Sequence, residues 1–180
     1  MRKEEKLNLL QQSKINKEIV TCYFSFDNDY VHYYVLDFND RFVLAQEEFD
    51  FRIKDGYELR KISRLKKNNI RYGIINDIAK TMGIKNNLKE VIIDMSSWYS
   101  IFSEIKNWNK IIRIDVDNGN VFFYGKIIEV HKNRIMFNDF NIDGVYYDEP
   151  FDISFRDIDG IEWDTEYIQG WNYYFSNMQK

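Results

Sequence analysis

The chain has 180 residues, of which 44% are hydrophobic and 30% charged, and its net charge is −4. This length accommodates one ordinary domain or two very small ones, and no apolar run approaches the roughly 20 residues of a transmembrane helix. The single cysteine, Cys22, excludes a disulfide within the chain and indicates a reducing compartment, and the first residues lack an apolar signal region. These features predict a cytoplasmic protein that is not attached to a membrane, and the mild acidity gives no overall attraction to nucleic acid.

The first predicted element is a helix. Residues Leu7 to Ile19 are rich in Leu, Lys, Gln and Glu and contain neither Gly nor Pro, which favours a helix. Together with a first β-rich module, this helix makes up the first predicted part of the chain, residues 1–72.

The first β-rich module begins at residue 26. Phe26 to Leu44 contains an Asp-Asn turn, an aromatic-rich strand, a polar turn that ends in Arg41, and an apolar strand. Asn and Asp tolerate the positive φ angles that tight hairpin turns require. The segment is therefore predicted to form an antiparallel β-meander with one of its turns at Asn39.

Residues 73–110 are predicted to form a connector that is mainly helical. Asn76 to Met82 has apolar side chains at helical spacing, and a second helix, which Ser96 or Ser97 can cap, extends to Trp108. Between these helices, Glu90 to Met95 is ambiguous between helix and strand, and a strand is favoured.

A second module, within residues 111–180, repeats the pattern of the first. Val116 to Phe137 again combines an Asp-Asn turn, an aromatic strand, a polar turn and an apolar strand, and Arg156 to Ile161 aligns with Arg60 to Leu65. Residues 156–160 suit one 3₁₀ turn before a closing strand. The predicted core of this module consists of Ile127, Ile135, Phe137, Ile158 and Trp163.

The last residues are too aromatic to project freely into solvent. Tyr167 to Phe175 contains five aromatic side chains in nine positions. This tail is predicted either to pack on a module or to form a partner-binding surface.

The repeated pattern predicts an α+β fold: two divergent copies of a small antiparallel β-barrel or meander, joined by a helical connector and preceded by an N-terminal helix. Short strands with a tight turn before the last one resemble the small SH3-like and Sm-like barrels, and each copy covers about one third of the chain. The resemblance is one of pattern and includes no diagnostic motif. It implies modules that bind through exposed strand edges and aromatic grooves.

No motif for a metal or another cofactor is complete, and none is predicted to bind. Asp139 to Gly144 matches the first half of a calcium loop, but the twelfth position, which needs a bidentate Glu, is Pro150. A hairpin turn explains the end of this segment. The two histidines, His32 and His131, have no Cys or second His near them in the sequence that would complete a zinc site.

One stretch of the chain is densely basic and is a candidate for contacts with phosphates. Its cationic residues are Arg60, Lys61, Arg64, Lys66, Lys67 and Arg71. A solvated face that closes the first module is the commoner explanation of such a run. The acidic second module is complementary either to a basic partner or to this stretch.

Three functions stay open. The preferred one is a non-catalytic protein-binding protein, such as an adaptor, an inhibitor or an immunity-type accessory of a bacterium, phage or other mobile element. Its candidate contact residues are aromatic: Tyr146, Tyr147, Trp163, Trp171 and Tyr173. The second is an Sm-like nucleic-acid binder that uses the basic stretch. An enzyme ranks last, because spacing alone gives no support to a nucleophile and base such as Cys22 and a histidine.

Overall fold

The computed structural model describes residues 1–25, 30–71 and 74–178, apart from the side chain of Asn118. The predicted turn at Asp27 to Asp29 lies outside the described residues. The chain divides into two compact units, Met1–Val91 and Ile92–Lys180, and their boundary falls inside the predicted connector. The fold is α+β, with four α-helices in the described part. None of the described helices is long and apolar enough to cross a membrane.

The first unit is an antiparallel sheet with a helix at each end of its sequence. Its elements are α1 (Lys3–Asn16), β1 (Val20–Phe24), β2 (Val31–Phe38), β3 (Phe42–Phe49), β4 (Arg52–Ile53), β5 (Tyr57–Lys61), β6 (Leu65–Ile70) and α2 (Ile74–Thr81). The strand order is β5-β3-β2-β1-β6, and β4 pairs with β3 beside this row. The turn predicted at Asn39 is confirmed, because the Asn39 side chain accepts hydrogen bonds from the backbone N–H groups of Arg41 and Phe42.

Helix α1 begins and ends at residues that can satisfy its free backbone groups. Glu5 accepts hydrogen bonds from both the backbone and the side chain of Arg2, which closes the first turn. At the other end Lys17 adopts the left-handed conformation, and its N–H bonds to the carbonyl of Ser13. The helix places Leu10 in a core formed by β1, β2, β3 and β6. The predicted N-terminal helix is confirmed, and it starts four residues earlier than expected.

The second unit has the same kind of sheet. Its elements are α3 (Trp98–Trp108), β7 (Ile112–Val116), β8 (Val121–Val130), β9 (Arg134–Asp139), β10 (Phe151–Ser154), β11 (Ile158–Trp163) and α4 (Glu166–Asn177). The strand order is β10-β9-β8-β7-β11. The predicted 3₁₀ turn at 156–160 is instead an ordinary turn at 155–157, and Ile158 already belongs to the closing strand.

The sheet does not close into the barrel that the sequence predicts. Within the described residues, no ladder joins β5 to β6 in the first unit or β10 to β11 in the second. Between β5 and β6, the 3₁₀ turn Ile62–Arg64 separates two consecutive strands. Each strand then pairs with a different neighbour, β5 with β3 and β6 with β1.

Helix α3 forms where predicted, but the strand before it does not. The hydroxyl of Ser97 accepts a hydrogen bond from the backbone N–H of Ser100, so the predicted cap is confirmed. Residues 88–94 have no regular structure, and the strand favoured for Glu90 to Met95 is wrong. A side chain binds the backbone here in place of a neighbouring strand: Glu104 accepts from the N–H of Asp94.

The predicted core of the second unit is confirmed. All five residues are at most 9% exposed: Ile127, Ile135, Phe137, Ile158 and Trp163. They lie on β8, β9 and β11, so the apolar face of this sheet is continuous across its strands.

Candidate protein-binding surface

Helix α4 carries much of the aromatic surface, and polar contacts fix its position. The hydroxyl of Thr165 accepts a hydrogen bond from the backbone N–H of Ile168 and so caps the first turn. Glu166 follows at the positive end of the helix dipole. Further along, the side-chain carbonyl of Asn172 accepts from the N–H of Ile111, which ties the helix to the residue before β7. The predicted aromatic tail is therefore an ordered helix.

One face of α4 is buried against aromatic and aliphatic side chains of the same unit. Ile168 is fully buried with Ile111 and Phe140, and Trp171 and Phe175 pack against this cluster. The ring centroids of Trp171 and Phe140 are 4.7 Å apart. Burial of this face holds the helix on the sheet, as expected for an amphipathic helix.

The loop after β9 packs closely against α4. Asn141 accepts hydrogen bonds from the backbone N–H groups of Asp143 and Val145, which fixes a tight turn. Gly144 has a φ angle of 72°, and a β-carbon there would lie 2.7 Å from Tyr174 and 2.9 Å from Trp171. Only glycine allows both this backbone conformation and such close contact with α4.

Four rings form a continuous row along β8 and α4, which we call the aromatic row: Phe122, Tyr124, Tyr167 and Trp171. Successive ring centroids are 5.7, 5.0 and 6.2 Å apart. Phe122 is 52% exposed and Tyr167 is 55% exposed, while the other two rings are half-buried. The row therefore combines fixed positions with accessible apolar area.

Behind the row, further rings support it. Phe140 contacts Tyr146 and Phe175, with centroids 5.6 and 5.0 Å apart. Burial raises the pKa of Tyr146 to about 12, and its buried hydroxyl has no hydrogen-bond partner among the described residues. Burial also raises the pKa of Tyr124. Both phenols therefore stay neutral at physiological pH.

The five predicted aromatic contact residues do not form one surface. Trp163 is 1% exposed in the core, so it cannot reach a partner. Trp171 belongs to the aromatic row, and Tyr146 lies behind it. Tyr147 is exposed on the loop after β9. Tyr173 is exposed on α4 but lies about 140° around the helix from the buried Ile168, away from the row.

Sequence reasoning missed three members of the row: Phe122, Tyr124 and Tyr167. A signal for the first two was present, because residues two apart on a strand share a face. Which face of β8 meets the C-terminal helix depends on tertiary packing, and the sequence pattern alone does not give it.

A cation and two carboxylates lie beside the row. Pairing between strands aligns Glu162 on β11, Arg113 on β7 and Tyr124 on β8. The guanidinium of Arg113 lies 4.7 Å from the centroid of the Phe122 ring. It also forms ion pairs with Asp115 at 2.8 Å and with Glu162 at 3.0 Å. This end of the row thus already holds a guanidinium between a ring and carboxylates.

Two residues of the predicted basic stretch form ion pairs with carboxylates, and the others do not share one surface environment. Arg60 is 7% exposed and bonds to Glu58 at 3.0 Å. Arg71 pairs with the buried Glu48 at 3.2 Å. Of the four others, Lys61 ends β5 and Arg64 directly precedes β6, and both are half-buried. Lys66 and Lys67 lie on β6 and are exposed. Two of the six predicted phosphate contacts are therefore already neutralised by carboxylates within the first unit.

A cleft of about 400 Å³ in the first unit is lined by rings and carboxylates, including Tyr30, His32, Phe49 and Glu48. Burial lowers the pKa of His32 to about 4, with a smaller contribution from the charge of Arg71, so its imidazole is neutral at physiological pH. One ring nitrogen of His32 lies 3.0 Å from the hydroxyl of Thr21. The cleft contains a fixed carboxylate and a neutral imidazole.

The lone cysteine is not placed for nucleophilic chemistry. Cys22 is fully buried, and burial raises the pKa of its thiol. A thiol that resists deprotonation is a poor nucleophile. The contact of His32 with Thr21 also leaves this histidine engaged elsewhere.

The half calcium loop is a structured turn between strand-like segments. Asp139 ends β9 and Phe140 forms a bridge with Tyr146, so no helix of an EF-hand flanks the loop. The Asn141 oxygen is occupied by backbone N–H groups, and no set of three metal-ligating side chains occurs in the described residues. We expect millimolar calcium to leave the thermal unfolding midpoint unchanged. A clear upshift that the substitution Asp139→Ala abolishes would contradict this.

Fold and surface together define an α+β protein with an open antiparallel sheet and an exposed row of rings. Comparison with protein-family models, with curated proteins and with solved structures found no match to this chain.

Proposed function

We propose that this chain is a non-catalytic protein-binding protein that acts through the aromatic row of its second unit. The observation that carries the proposal is a set of rings fixed by packing and still accessible at Phe122 and Tyr167. Exposed aromatic side chains that are already ordered bind partners at a small entropic cost, and Tyr and Trp dominate the binding energy of many interfaces. An adaptor, an inhibitor or an immunity-type accessory works in this way.

The proposal includes a duplicated module of SH3-like or Sm-like type. The strand orders β5-β3-β2-β1-β6 and β10-β9-β8-β7-β11 correspond position by position, with the last strand returning to the first. The turn Ile62–Arg64 precedes the returning strand of the first unit. Such modules bind through edges and grooves, which favours a binding function over catalysis.

Nucleic-acid binding through the basic stretch is the rival proposal. The pairing of Arg60 and Arg71 with carboxylates weakens it, because a phosphate backbone would compete with Glu58 and Glu48 for those guanidinium groups. A cytoplasmic location is part of our proposal as well and agrees with the unpaired, buried Cys22.

The test compares two sets of substitutions in capture experiments with lysate of the source organism, read by mass spectrometry. Phe122→Ser with Tyr167→Ser removes the exposed rings of the row. We expect the loss of two contact residues to weaken capture of a specific protein by at least about 10-fold, since such a residue contributes about 2 kcal/mol or more. Tyr173→Ser is the matched control on the other side of α4, and we expect it to retain capture.

The second set neutralises Arg64, Lys66 and Lys67 together. If the protein binds a protein, this triple change leaves capture nearly intact. If it binds nucleic acid, affinity for single-stranded DNA or RNA falls steeply with salt concentration. The triple change then reduces the slope of log affinity against log salt concentration by an amount that corresponds to roughly two to three phosphate contacts. Submicromolar, salt-sensitive binding to nucleic acid that the triple variant loses would overturn the proposal.

A further inference from the structure

Charge is distributed unevenly between the two units. Residues 1–91 contain 17 Lys and Arg against 14 Asp and Glu, a net charge of +3, whereas residues 92–180 contain 8 against 15, a net charge of −7. The unit that carries the aromatic row is therefore strongly acidic for its size. Its long-range field attracts cations and repels polyanions.

Exposed carboxylates lie on α4 itself and on the loop after β9, which contacts α4 at Gly144. Glu166 directly precedes Tyr167 on α4, and Asp143, Asp148 and Glu149 lie on the loop that supports the helix. None of these four has an ion pair with any residue that the structure describes. Carboxylates without internal partners remain available to a cation from outside.

Several cations of the same unit are, in contrast, already engaged. Lys110 pairs with Asp164 at 2.8 Å, Arg134 pairs with Asp152 at 3.0 Å, and Arg113 is held by two carboxylates. A positively charged partner therefore meets little opposing charge here. Arg113 on the Phe122 ring also shows how these rings accept a guanidinium, through the attraction of a cation to a ring face.

We infer that the partner contacts the aromatic row with a basic segment, in which Lys or Arg side chains alternate with apolar ones. The apolar side chains pack on the rings, and the cations lie over ring faces and between the free carboxylates. This inference rests on the proposed function and names the chemistry of its partner. We infer a segment of another protein rather than a second copy of this chain. In a second copy, the basic unit would be residues 1–91, whose net charge is only +3 and whose Arg60, Arg71 and Lys54 already form ion pairs with carboxylates of the same unit.

A selection from a random 16-residue peptide display library, with the full chain as bait, tests the inference. We expect the selected peptides to be enriched in Lys and Arg interspersed with apolar residues. A synthetic peptide from the selection binds the unchanged chain, and its counterpart with Gln in place of every Lys and Arg binds at least 10-fold more weakly. We expect added salt to weaken the binding of the Lys- and Arg-containing peptide, because salt screens the attraction between exposed charges.

Matched protein variants separate the rings from the charges. Asp148→Asn with Glu149→Gln removes two exposed carboxylates of the loop after β9, neither of which forms an ion pair with a described residue, and we expect a several-fold loss of peptide affinity. Asp40→Asn with Glu90→Gln makes the same charge change in the first unit, and we expect no loss. Phe122→Ser with Tyr167→Ser abolishes binding of the peptide, which shows that it occupies the aromatic row.

The outcomes distinguish failure of the inference from failure of the proposed function. Peptides that need the rings but contain no excess of Lys and Arg would overturn the inference and leave the function standing. A set of peptides insensitive to the ring substitutions, or no selected peptide at all, would overturn both. Concentration-dependent dimerisation in sedimentation velocity, lost on the same carboxylate substitutions, would make a second copy the occupant and would also overturn the inference.

Discussion

Replacing Gly125 with alanine is expected to destabilise the second unit severely, by about 3 kcal/mol or more. Gly125 lies in β8 between two strands, paired with Ile112 on β7 and with Asp139 on β9. A β-carbon there would lie 2.0 Å from the carbonyl oxygen of Asn138 and 2.7 Å from the Cα of Asp139. Both contacts are with backbone, which cannot move aside as a side chain can, so the strands themselves have to separate. Urea denaturation followed by tryptophan fluorescence measures the loss.

Gly170 provides the matched control for this substitution. It lies on the exposed side of α4, and a β-carbon there meets nothing within 4 Å. Alanine is the better helix former, so Gly170→Ala is expected to be neutral or to stabilise the protein by roughly 0.5–1 kcal/mol. Equal urea midpoints for the two alanine variants would show that β8 and β9 are not as close as described.

Ile135→Ala is expected to cost roughly 2–5 kcal/mol of unfolding free energy, because it leaves a cavity in the core. Ile135 is fully buried in β9, opposite Val130 on β8 and Ile153 on β10. Because β9 is paired with a strand on each side, few neighbouring atoms can move into the cavity that the Ile135 side chain leaves. The shift of the urea midpoint at an unchanged slope measures the cost.

The control for this cavity is Ile128→Ala, on the neighbouring strand. Ile128 is 39% exposed and lies where the pairing of β8 with β9 shifts register. Its truncation removes little buried area, so we expect a loss of less than about 1 kcal/mol. If the Ile135 variant lost no more stability than this control, its assignment to the core would be wrong.

The local elements were predictable where short-range chemistry decides them. Asn39 and Asn133 mark turns because Asn fits hairpin geometry, and Ser97 marks the start of α3 because its hydroxyl caps the helix. The segment Glu90 to Met95 was mispredicted, because alternating burial at Ile93 and Met95 resembles a strand although no neighbouring strand pairs with it. A sequence pattern indicates which side chains are buried. Whether the segment forms a strand also depends on a neighbouring strand to pair with, which the local pattern does not show.

The candidate surface was predictable only in part. The number of aromatic residues near the C-terminus was visible in the sequence, but their exposure and their grouping on one surface were not. Trp163 and Trp171 are the same residue type, and both lie near the C-terminus. Trp163 is buried on a strand, however, whereas Trp171 is half-exposed on a helix. The basic stretch also looked continuous in the sequence. The ion pair of Arg71 joins it to the distant Glu48, which the sequence pattern does not show, whereas Arg60 pairs with Glu58 two residues away on the same strand.

The two exposed lysines of β6 have a consequence for the solubility of the chain. β6 is the last strand in the order of its unit, with one ladder, to β1, in the part of the chain that the structure describes. Edge strands are templates for aggregation, since their unpaired amides can recruit a strand from another molecule. Lys66 and Lys67 place two ammonium groups on this edge, and a second molecule that docks there must desolvate them. In a chain with 17% aromatic residues, these two charges oppose edge-to-edge association through this strand.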